Sequence, residues 1–457
     1  MTGQRGRLGF RSPWLDQLDR IHAPTPLTED FATDVAIVGA GIAGLATAFF
    51  VLRDTPSKVV LLERGRAGHG ATGRNAGQLV TYFERPLCDL VDAFGFDKAT
   101  RGQAEVEAAW GLLDAIIDES GMTVTIDRFV GAMGMFTLNH LLVHLRNNQI
   151  RRQSGLDGEE ITISSSADFI DAVPVAFKDF YTIVPQSRIR ELLGVESDDW
   201  VAVLQNKKGC ANSALICQEL LAYLTRRYRS RFVFADETTV ERVILDEDSA
   251  TLVAGAHAIA ARRVVMCTNG FSHHLVENLA GGPIAQRLES KVHARVGYMV
   301  GFTSPPGAPA GATSYINNEQ IGGKKPYYYS TRRPYVRGDE ELTLTCLGGP
   351  EATIESEETY TADSEIPMDI LQEIDGHIRP LVAPGRPSGL DYEYAWHGLM
   401  AYTDDKVRIV GFEPRNRVLM YNLGCNGVGF LPSIAGGFRI ARLQNGDQLE
   451  PSIFDPK

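Results

Sequence analysis

Cysteine pairs, long apolar runs and an excess of basic charge are all missing from this sequence. No CxxC pair occurs, so neither a metal site nor a disulfide framework is indicated; the cysteines are Cys88, Cys210, Cys217, Cys267, Cys346 and Cys425. No run of about 18 apolar residues occurs, and the basic start MTGQRGRLGF is not followed by an apolar segment. We therefore expect no bound metal, no membrane span and a cytoplasmic location.

The charge balance excludes a further class of protein. The chain has 45 Lys and Arg residues against 57 Asp and Glu residues, a formal net charge of -12, which repels nucleic acid. We expect no nucleic-acid partner. Because 457 residues are too many for one compact core, two interleaved domains are predicted, while the oligomeric state is left open.

Strands and helices alternate in the first half of the chain. Residues 1–30 are predicted to be a leader that packs Trp14 and Leu15 onto the body, since its prolines argue against a continuous helix. The runs DVAIVGAG and KVVLLE are expected to be strands on either side of the helix IAGLATAFFVLRD. Helices are also expected at 101–120, ended by Gly121, and at 213–227, begun by Asn212 or Ser213.

The second half is richer in predicted strands. The runs TTVERVIL, ATLVAG and RRVVMCT predict a three-stranded meander. The runs HARVGYMVGF, KPYYYSTRRPYV and ELTLTCLGG have the aromatic and β-branched composition of an antiparallel sheet, which we interpret as a second domain. Residues 303–323 are rich in proline, glycine and serine and are expected to form a long surface loop, a candidate lid.

A GxGxxG motif directly after the first strand is the strongest local signal. Gly39 permits a tight turn, Gly41 lets a pyrophosphate approach the backbone, and Gly44 lets the helix pack closely on the strand. Glu63 ends the second predicted strand 19 residues after Gly44, where its carboxylate can bind the ribose hydroxyls of an adenosine and would repel a 2′-phosphate. A dinucleotide site is therefore predicted, the alternative being a glycine turn that binds nothing.

The following segment distinguishes flavin from nicotinamide. Five glycines, with several polar side chains among them, occur in RGRAGHGATGRNAGQLV. Such a backbone can pass close beside a large flat ring system and offer it polar groups. FAD is therefore the predicted cofactor.

At these residues the sequence resembles the D-amino-acid-oxidase-like (DAO) superfamily of FAD-dependent oxidoreductases. The segment ATGRNAGQLV and the leader SPWLDQL look most like its gamma-glutamylputrescine oxidase branch. The resemblance continues through GCANSALICQELLAYL, VVMCTNGFS, WHGLMAYTDDKVRIVG and YNLGCNGVGFLPSIAGG. It implies an α/β fold, in which an FAD-binding Rossmann-like domain of the glutathione-reductase type is interleaved with an α+β substrate domain built on an antiparallel sheet.

The resemblance also implies domain boundaries and a set of cofactor-binding residues. The FAD-binding domain is expected at 31–98, 195–285 and 388–457, and the substrate domain at 99–194 and 286–387. Val240 is expected beside the adenine, Thr268 to Gly270 near the diphosphate, and Gly424 to Phe430 near the flavin. Together with the motif, the expected cofactor-binding residues are Gly39, Gly41, Ile42, Ala43, Gly44, Glu63, Arg64, Gly70, Ala71, Thr72, Arg74, Asn75, Ala76, Gly77, Gln78, Val240, Thr268, Gly270, Gly398, Asn426, Gly427, Gly429 and Phe430.

For the reaction, the resemblance implies oxidation of a substrate C–N bond by hydride transfer to flavin N5, followed by hydrolysis of the imine in water. Electrons would then pass to oxygen, a quinone or a carrier protein. Two departures bear on the substrate. Met400 replaces the arginine that binds the substrate carboxylate in amino-acid-oxidising relatives, and Val428 replaces the histidine of the common Gly-His-Gly. An amine or modified amine is therefore favoured over a plain α-amino acid.

Four side chains are candidates for substrate contact or catalysis. Tyr328 and Arg332 share one face of a predicted strand and could bind a substrate with a distal acid, although an ordinary sheet with a solvated arginine is equally compatible. His397 could accept a proton from an ammonium substrate, although a packed core histidine fits as well. Lys291 could lie near the flavin or at the surface. No pattern for covalent flavin attachment is recognised at Cys346 or Cys425, so FAD is expected to bind non-covalently.

The sequence thus predicts an enzyme, an FAD-dependent amine or amino-acid oxidase or dehydrogenase acting on a small-molecule amine. Two alternatives stay open. One is oxidation of an N-methylated or cyclic amino acid, with Arg332 or Arg333 replacing the missing carboxylate anchor. The other is a flavin-binding protein without turnover.

Overall fold

A computed structural model describes residues 11–18, 23–271, 274–282, 284, 292–315, 328–385 and 392–457. In chain order its strands are β1 (Phe31–Val38), β2 (Val59–Leu62), β3 (Gln78–Leu79), β4 (Ile126–Met135), β5 (Glu160–Ser164), β6 (Thr182–Val184), β7 (Ala202–Ala211), β8 (Phe232–Ala235), β9 (Arg242–Leu245), β10 (Ala250–Ala254), β11 (His257–Met266), β12 (Leu275–Asn278), β13 (His293–Ser304), β14 (Gly311–Tyr315), β15 (Tyr328–Arg337), β16 (Glu340–Thr353), β17 (Tyr394–Tyr402), β18 (Ile409–Glu413) and β19 (Asn416–Leu423).

Helices connect these strands and cover the sheets. They are α1 (Pro13–Asp16), α2 (Ile42–Asp54), α3 (Leu87–Phe94), α4 (Phe96–Glu107), α5 (Ala109–Ser120), α6 (Leu138–Ser154), α7 (Gln186–Leu193), α8 (Ser213–Arg227), α9 (Met368–His377), α10 (Arg379–Val382) and α11 (Phe430–Gln444). Short 3-10 helices lie at Ala71–Arg74, Ile170–Ala172, Val175–Phe180 and Glu357–Thr359. Within the described ranges, no helix combines the length and apolarity that crossing a bilayer would need.

The first sheet has a parallel centre. Its strand order is β12-β9-β10-β11-β1-β2-β8, with β19 also paired to β11 and β18 to β19. Strand β1 is parallel to both β2 and β11, and β2 is parallel to β8. All four residues of β2 are buried, as expected for parallel strands covered on both faces. The predicted strand, helix and strand around GxGxxG are confirmed, and the predicted meander is formed by the antiparallel strands β9, β10 and β11.

Helices α2 and α11 pack together on one face of this sheet. Phe49 and Phe50 of α2 are completely buried, and the ring of Phe50 lies 5.3 Å from that of Phe438 in α11. A Cβ atom at Gly437 would lie 2.7 Å from the backbone nitrogen of Thr47, so the close approach of the two helices requires glycine there. The helix of the GxGxxG unit and a helix near the far end of the chain therefore share one core.

The second sheet is mainly antiparallel. Its order is β17-β13-β16-β15-β14-β4-β7-β5-β6, with β3 paired to β7, and it contains the aromatic strands expected to form a second domain. The domain boundaries inferred from the sequence stay a prediction. Strands β3, β7 and β17 lie in segments assigned to the FAD-binding domain, yet they pair within this second sheet.

Two local predictions need correction. The helix expected at 101–120 forms as α4 and α5, separated by Ala108 alone, and α4 begins earlier, at Phe96; Gly121 ends α5 with a left-handed φ of 65°, as predicted. Part of the loop expected at 303–323 is strand β14, because neighbouring strands β15 and β4 pair with both of its edges. Residues 316–323, where a lid was considered, lie outside the described residues.

The helix expected at 213–227 is confirmed as α8. The side chain of Asn212 accepts a hydrogen bond from the backbone nitrogen of Leu215 at 3.0 Å, which caps the helix N-terminus. The leader also packs as predicted, since Trp14 and Leu15 are buried.

Candidate active site

A cavity of about 490 Å³ lies where the two sheets meet. It begins at the carboxyl ends of the parallel strands of the first sheet and extends to a wall formed by the second. The sequence-predicted residues that line it are Gly39, Gly41, Ile42, Ala43, Glu63, Arg64, Gly70, Ala71, Thr72, Arg74, Asn75, Ala76, Gln78, Val240, Thr268, Gly398, Gly427, Gly429 and Phe430. We call this space the central cavity.

The GxGxxG turn forms one end of the central cavity. Gly39 has a left-handed φ of 102°, and a Cβ atom there would lie 2.7 Å from the carbonyl oxygen of Cys267. At Gly44 a Cβ atom would overlap the carbonyl oxygen of Gly39, so α2 starts directly against β1. The N-terminus of α2 consequently faces the cavity, where its N–H groups and dipole favour an anionic diphosphate.

Glu63 lies beside this turn with its carboxylate fixed by two backbone donors. The N–H of Ala40 donates to Oε2 at 2.8 Å, and the N–H of Gly65 donates to Oε1 at 2.9 Å. Burial raises the pKa of Glu63, while these two hydrogen bonds act against that shift. The carboxylate has further lone pairs that can accept ribose hydroxyls.

The glycine-rich segment after β2 runs along the cavity and is held from behind by the leader. The indole N–H of Trp14 donates to the carbonyl oxygen of Asn75 at 2.7 Å, and the hydroxyl of Ser12 donates to the carbonyl oxygen of Gly73. The Thr72 hydroxyl accepts from the N–H of Ile42 at 3.1 Å, which ties the segment to α2. The sequence predicted that the leader packs on the body, but contained no signal for this contact.

Four predicted cofactor residues lie behind the cavity lining rather than in it. Gly44 brings α2 onto β1, an ideal Cβ at Gly77 would lie 2.8 Å from the Trp14 ring, and Gly270 packs against the Met400 carbonyl. Asn426, with φ of 46°, accepts a hydrogen bond from the N–H of Thr403 at 2.8 Å. Their role is to shape the backbone around the cavity.

His397 does not line the central cavity. Its Nε2 atom lies 3.0 Å from the carbonyl oxygen of Ser364, and its Nδ1 atom lies 3.3 Å from the hydroxyl of Tyr360. Burial lowers its pKa, so the imidazole is neutral near pH 7. These contacts fit the alternative of a packed, hydrogen-bonded core histidine, and the role of His397 as a proton acceptor stays a prediction.

Tyr328 and Arg332 also lie away from the cavity. Tyr328 stacks on His377 at 5.2 Å and donates to Glu373 at 2.8 Å, while exposed Arg332 donates to the carbonyl oxygen of Pro309. Because side chains alternate along β15, Tyr329 lines the cavity instead. Lys291 lies outside the described residues.

The wall from the second sheet contains residues that the sequence analysis missed. They are Tyr298, Met299, Ser314, Tyr329, Gly349, Pro350, Glu351, Leu399 and Met400, with Val80 and Tyr82 just after β3. Most come from strands β13 to β17, which are far apart in the chain, so no local pattern marks them. The sequence analysis noted Met400 only because it replaces an arginine of the relatives. Its Cε atom lies 2.7 Å from the position that a Cβ atom of Gly297 would take.

The residues at the first end fit FAD. The glycine turn leaves room for a diphosphate at the α2 N-terminus, Glu63 is placed for the ribose, and Val240 also lines the cavity. The hydroxyl of Thr268 is buried with no hydrogen-bond partner among the described residues. A buried polar group of this kind normally has a partner, and a bound cofactor would supply one.

A family model described as "DAO: FAD dependent oxidoreductase" matches residues 34–443 of this chain. The chain belongs to the DAO family of FAD-dependent oxidoreductases. The match covers the glycine turn, Glu63 and the turn at Gly427, and FAD is the cofactor of the family.

Two curated proteins share short segments with this DAO family member. The probable oxidoreductase OrdL of Haemophilus influenzae is 37% identical over 89 residues, 20% of each chain. The gamma-glutamylputrescine oxidoreductase of Escherichia coli is 41% identical over 73 residues, 16% of this chain and 17% of that protein. The alignments thus span about a fifth of these relatives.

Solved structures resemble the whole chain. Glycine oxidase from Geobacillus kaustophilus has a TM-score of 0.64 at 16% identity, covering 93% of this chain and 98% of that one. L-proline dehydrogenase from P. horikoshii has a TM-score of 0.66 at 14% identity, covering 94% and 97%. At these identities the likeness shows the fold, and the α/β fold class expected from the sequence is confirmed.

Proposed function

We propose that this protein oxidises the C–N bond of an amine, releasing an imine that hydrolyses in water. FAD supplies the hydride acceptor for that step. The resemblance of the leader and of ATGRNAGQLV to the gamma-glutamylputrescine oxidase branch supports an amine substrate, as does the segment shared with the E. coli gamma-glutamylputrescine oxidoreductase. An α-amino acid is a weaker candidate because of the charge of the cavity wall.

That charge is the observation that carries the proposal. Among the cavity-lining residues that the second sheet contributes within the described ranges, Glu351 is acidic and none is an arginine or lysine, while Arg64, Arg66, Arg74 and Arg408 line the cavity from other segments. A carboxylate substrate would have no arginine or lysine there to form a bidentate or point-charge contact. An amine needs no such anchor, and its ammonium form is attracted by the field of Glu351.

The neutral side chains of the wall can position the substrate and exclude water. Tyr82, Tyr329 and Met299 present aromatic rings and a thioether, which favour contact with an alkyl chain. Holding the reacting carbon in place lowers the entropic part of the barrier. None of these side chains needs to act as an acid or base.

The cavity also bears on the N-methylated or cyclic amino-acid alternative. That alternative requires Arg332 or Arg333 at the substrate, but Arg332 is exposed and bonded to Pro309, and Arg333 lies over the ring of Trp14 at 5.5 Å. Neither lines the central cavity. The alternative therefore lacks a carboxylate anchor at these two positions of β15.

Anaerobic titration of the purified flavoprotein tests the proposal. The visible flavin absorbance is followed while primary amines, diamines, N-methyl amino acids and D-amino acids are added separately. We expect amines to bleach the flavin and the amino acids to bleach it far less at equal concentration. Bleaching by N-methyl amino acids alone would support the alternative, and a flavin that no compound reduces would support a binding protein without turnover.

Oxygen, a quinone and a carrier protein are the candidate electron acceptors. After reduction by an amine, the flavin is mixed with air-saturated buffer or with a soluble quinone, and its reoxidation rate is measured. Rapid reoxidation by oxygen identifies an oxidase, whereas reoxidation by the quinone alone identifies a dehydrogenase.

A further inference from the structure

One part of the central cavity has the chemistry of a cation-binding site. Tyr82, Tyr329 and Glu351 line it, and Glu84 lies behind it next to Gly427. Electrostatic effects of Glu351, Glu84 and Tyr82 all act on the Tyr329 hydroxyl and help raise its pKa, after the larger effect of burial. The four side chains are therefore neighbours although they come from three separate segments of the chain.

Glu351 provides the negative charge at the cavity surface. Its Oε1 atom accepts a hydrogen bond from the Tyr402 hydroxyl at 2.9 Å, and its Oε2 atom is 3.6 Å from Nη1 of Arg295. The Arg295 side chain is 45% exposed, so water weakens its attraction to Glu351. The carboxylate is oriented by these contacts and keeps lone pairs for a ligand.

Glu84 is the second acid of this cluster. Its Oε1 atom is buried with no hydrogen-bond partner among the described residues, and a Cβ atom at Gly427 would overlap it. Burial, and then the charge of Glu351, raise the pKa of Glu84 to about 8, while Lys406, Arg295 and Tyr402 act in the opposite direction. Near pH 7 Glu84 therefore mostly holds its proton. Burial also raises the pKa of Glu351, while hydrogen bonds from Tyr402 and Arg295 and the charges of Arg295 and Lys406 oppose that shift.

Tyr402, whose hydroxyl donates to Glu351, also lines an acidic cleft. It is lined by Glu355, Glu357, Glu358 and Asp404 together with Arg295, Lys406 and His293. Four carboxylates against two permanently charged cations give it a negative potential. A cleft of that sign next to the cavity raises the local concentration of cations.

We propose that Glu351 binds a second, non-reacting ammonium group of the substrate, beside the ring of Tyr329. The substrate class is then a diamine or longer polyamine, one amine of which is oxidised. The proposal rests on the proposed amine oxidation and names its substrate class. Aromatic rings beside a carboxylate stabilise an alkylammonium group by both cation–π and charge-assisted contacts.

The test compares 1,4-diaminobutane with 1-aminopentane, in which a methyl group replaces the second ammonium. Anaerobic flavin reduction gives the half-saturating concentration and limiting rate for each compound, in the parent protein and in Glu351→Gln. A charge-assisted contact worth about 1.5–3 kcal/mol predicts that Glu351→Gln raises the half-saturating diamine concentration about tenfold or more. The half-saturating concentration of the monoamine is expected to rise by a smaller factor, because the monoamine has no second ammonium group to lose its contact with Glu351.

Controls separate this contact from general damage. Glu341→Gln changes an exposed acid on the same strand, β16, and is expected to leave both amines unaffected. Tyr329→Leu removes an aromatic face and is expected to weaken binding of the diamine more than binding of the monoamine. Tyr329→Phe keeps the aromatic face and is expected to keep the affinity for the diamine. Flavin content and the melting temperature of each variant report whether the fold is kept.

Calorimetric binding of both amines to the flavoprotein gives a second readout that does not need turnover. Selective loss of diamine binding in Glu351→Gln supports the subsite, whether or not either amine reduces the flavin. If neither amine reduces the flavin, the proposed amine oxidation fails and the binding subsite stands. The subsite proposal is overturned if the parent binds both amines equally, or if Glu351→Gln weakens both to the same extent.

Discussion

The indole nitrogen of Trp14 lies 2.7 Å from the carbonyl oxygen of Asn75 and donates a hydrogen bond to it. Trp14 belongs to the leader and is completely buried, whereas Asn75 lines the central cavity. The contact places a large aromatic ring directly behind the glycine-rich segment of the cofactor site. The leader is thus part of that site, although none of its described residues lines the cavity.

Replacing Trp14 is expected to weaken the fold and the retention of FAD together. Trp14→Ala removes a buried aromatic side chain, a change that costs about 3–5 kcal/mol, and should release flavin at lower temperature than the parent. Trp14→Phe keeps most of the packing and loses the hydrogen bond, worth about 1 kcal/mol. Thermal melting followed by both circular dichroism and flavin fluorescence measures the two effects; equal melting of parent and Trp14→Ala would contradict the inferred contact.

Glu63 is expected to govern FAD affinity as well as the local stability of the glycine turn. In Glu63→Gln an amide donor faces the N–H of Ala40 or Gly65, and the charged acceptor for the ribose is lost. A loss of about 1–3 kcal/mol corresponds to roughly 5- to 150-fold weaker binding. Titration of deflavinated protein with FAD gives the dissociation constant, and exposed Glu241, changed to Gln, serves as the control that should bind like the parent.

Gly427 is expected to tolerate alanine poorly. Its φ of 74° is left-handed, and an added Cβ would overlap Glu84 Oε1 and lie 2.9 Å from the Tyr402 hydroxyl. Gly446 provides a matched control, because its φ of 90° is also left-handed but no atom of the described residues lies within 4 Å of an ideal Cβ position there. Gly446→Ala should cost about 1 kcal/mol from the backbone alone, and Gly427→Ala should cost more and lower FAD occupancy. Equal melting temperatures for the two variants would show that no steric overlap exists.

Glu84 is expected to make stability fall as pH rises. Its pKa of about 8 in the folded protein is above the value of about 4.3 for an unperturbed glutamate. Between these values the folded state binds more protons than the unfolded state, so the free energy of unfolding decreases with increasing pH. Glu84→Gln removes this effect. The melting temperature of Glu84→Gln relative to that of the parent should therefore increase from pH 5 to pH 8. The melting temperature of Glu341→Gln should follow that of the parent at every pH. A difference in melting temperature between Glu84→Gln and the parent that does not change with pH would contradict the shifted pKa of Glu84.

The cofactor end of the site was predictable from sequence because its signals are local. Gly39, Gly41, Gly44 and Glu63 lie on adjoining elements, and their spacing is fixed by one strand–helix–strand unit. The substrate wall was not predictable, since residues such as Glu351 reach it only through the pairing of distant strands. At β15 the alternation of faces was predicted, and the candidates Tyr328 and Arg332 lie on the face away from the cavity. Nothing in the strand itself says which side turns toward α9 and which toward the cavity.

The packing of α11 against α2 also sets an order of events during synthesis. The floor of the cofactor site stays incomplete until residues 430–444 have left the ribosome, although the glycine turn is made far earlier. Domains tend to fold as units as the chain emerges, and contacts between distant segments form slowly. FAD capture should therefore not precede the emergence of α11, and a nascent chain stalled before Phe430 should expose the apolar face of α2 to chaperones.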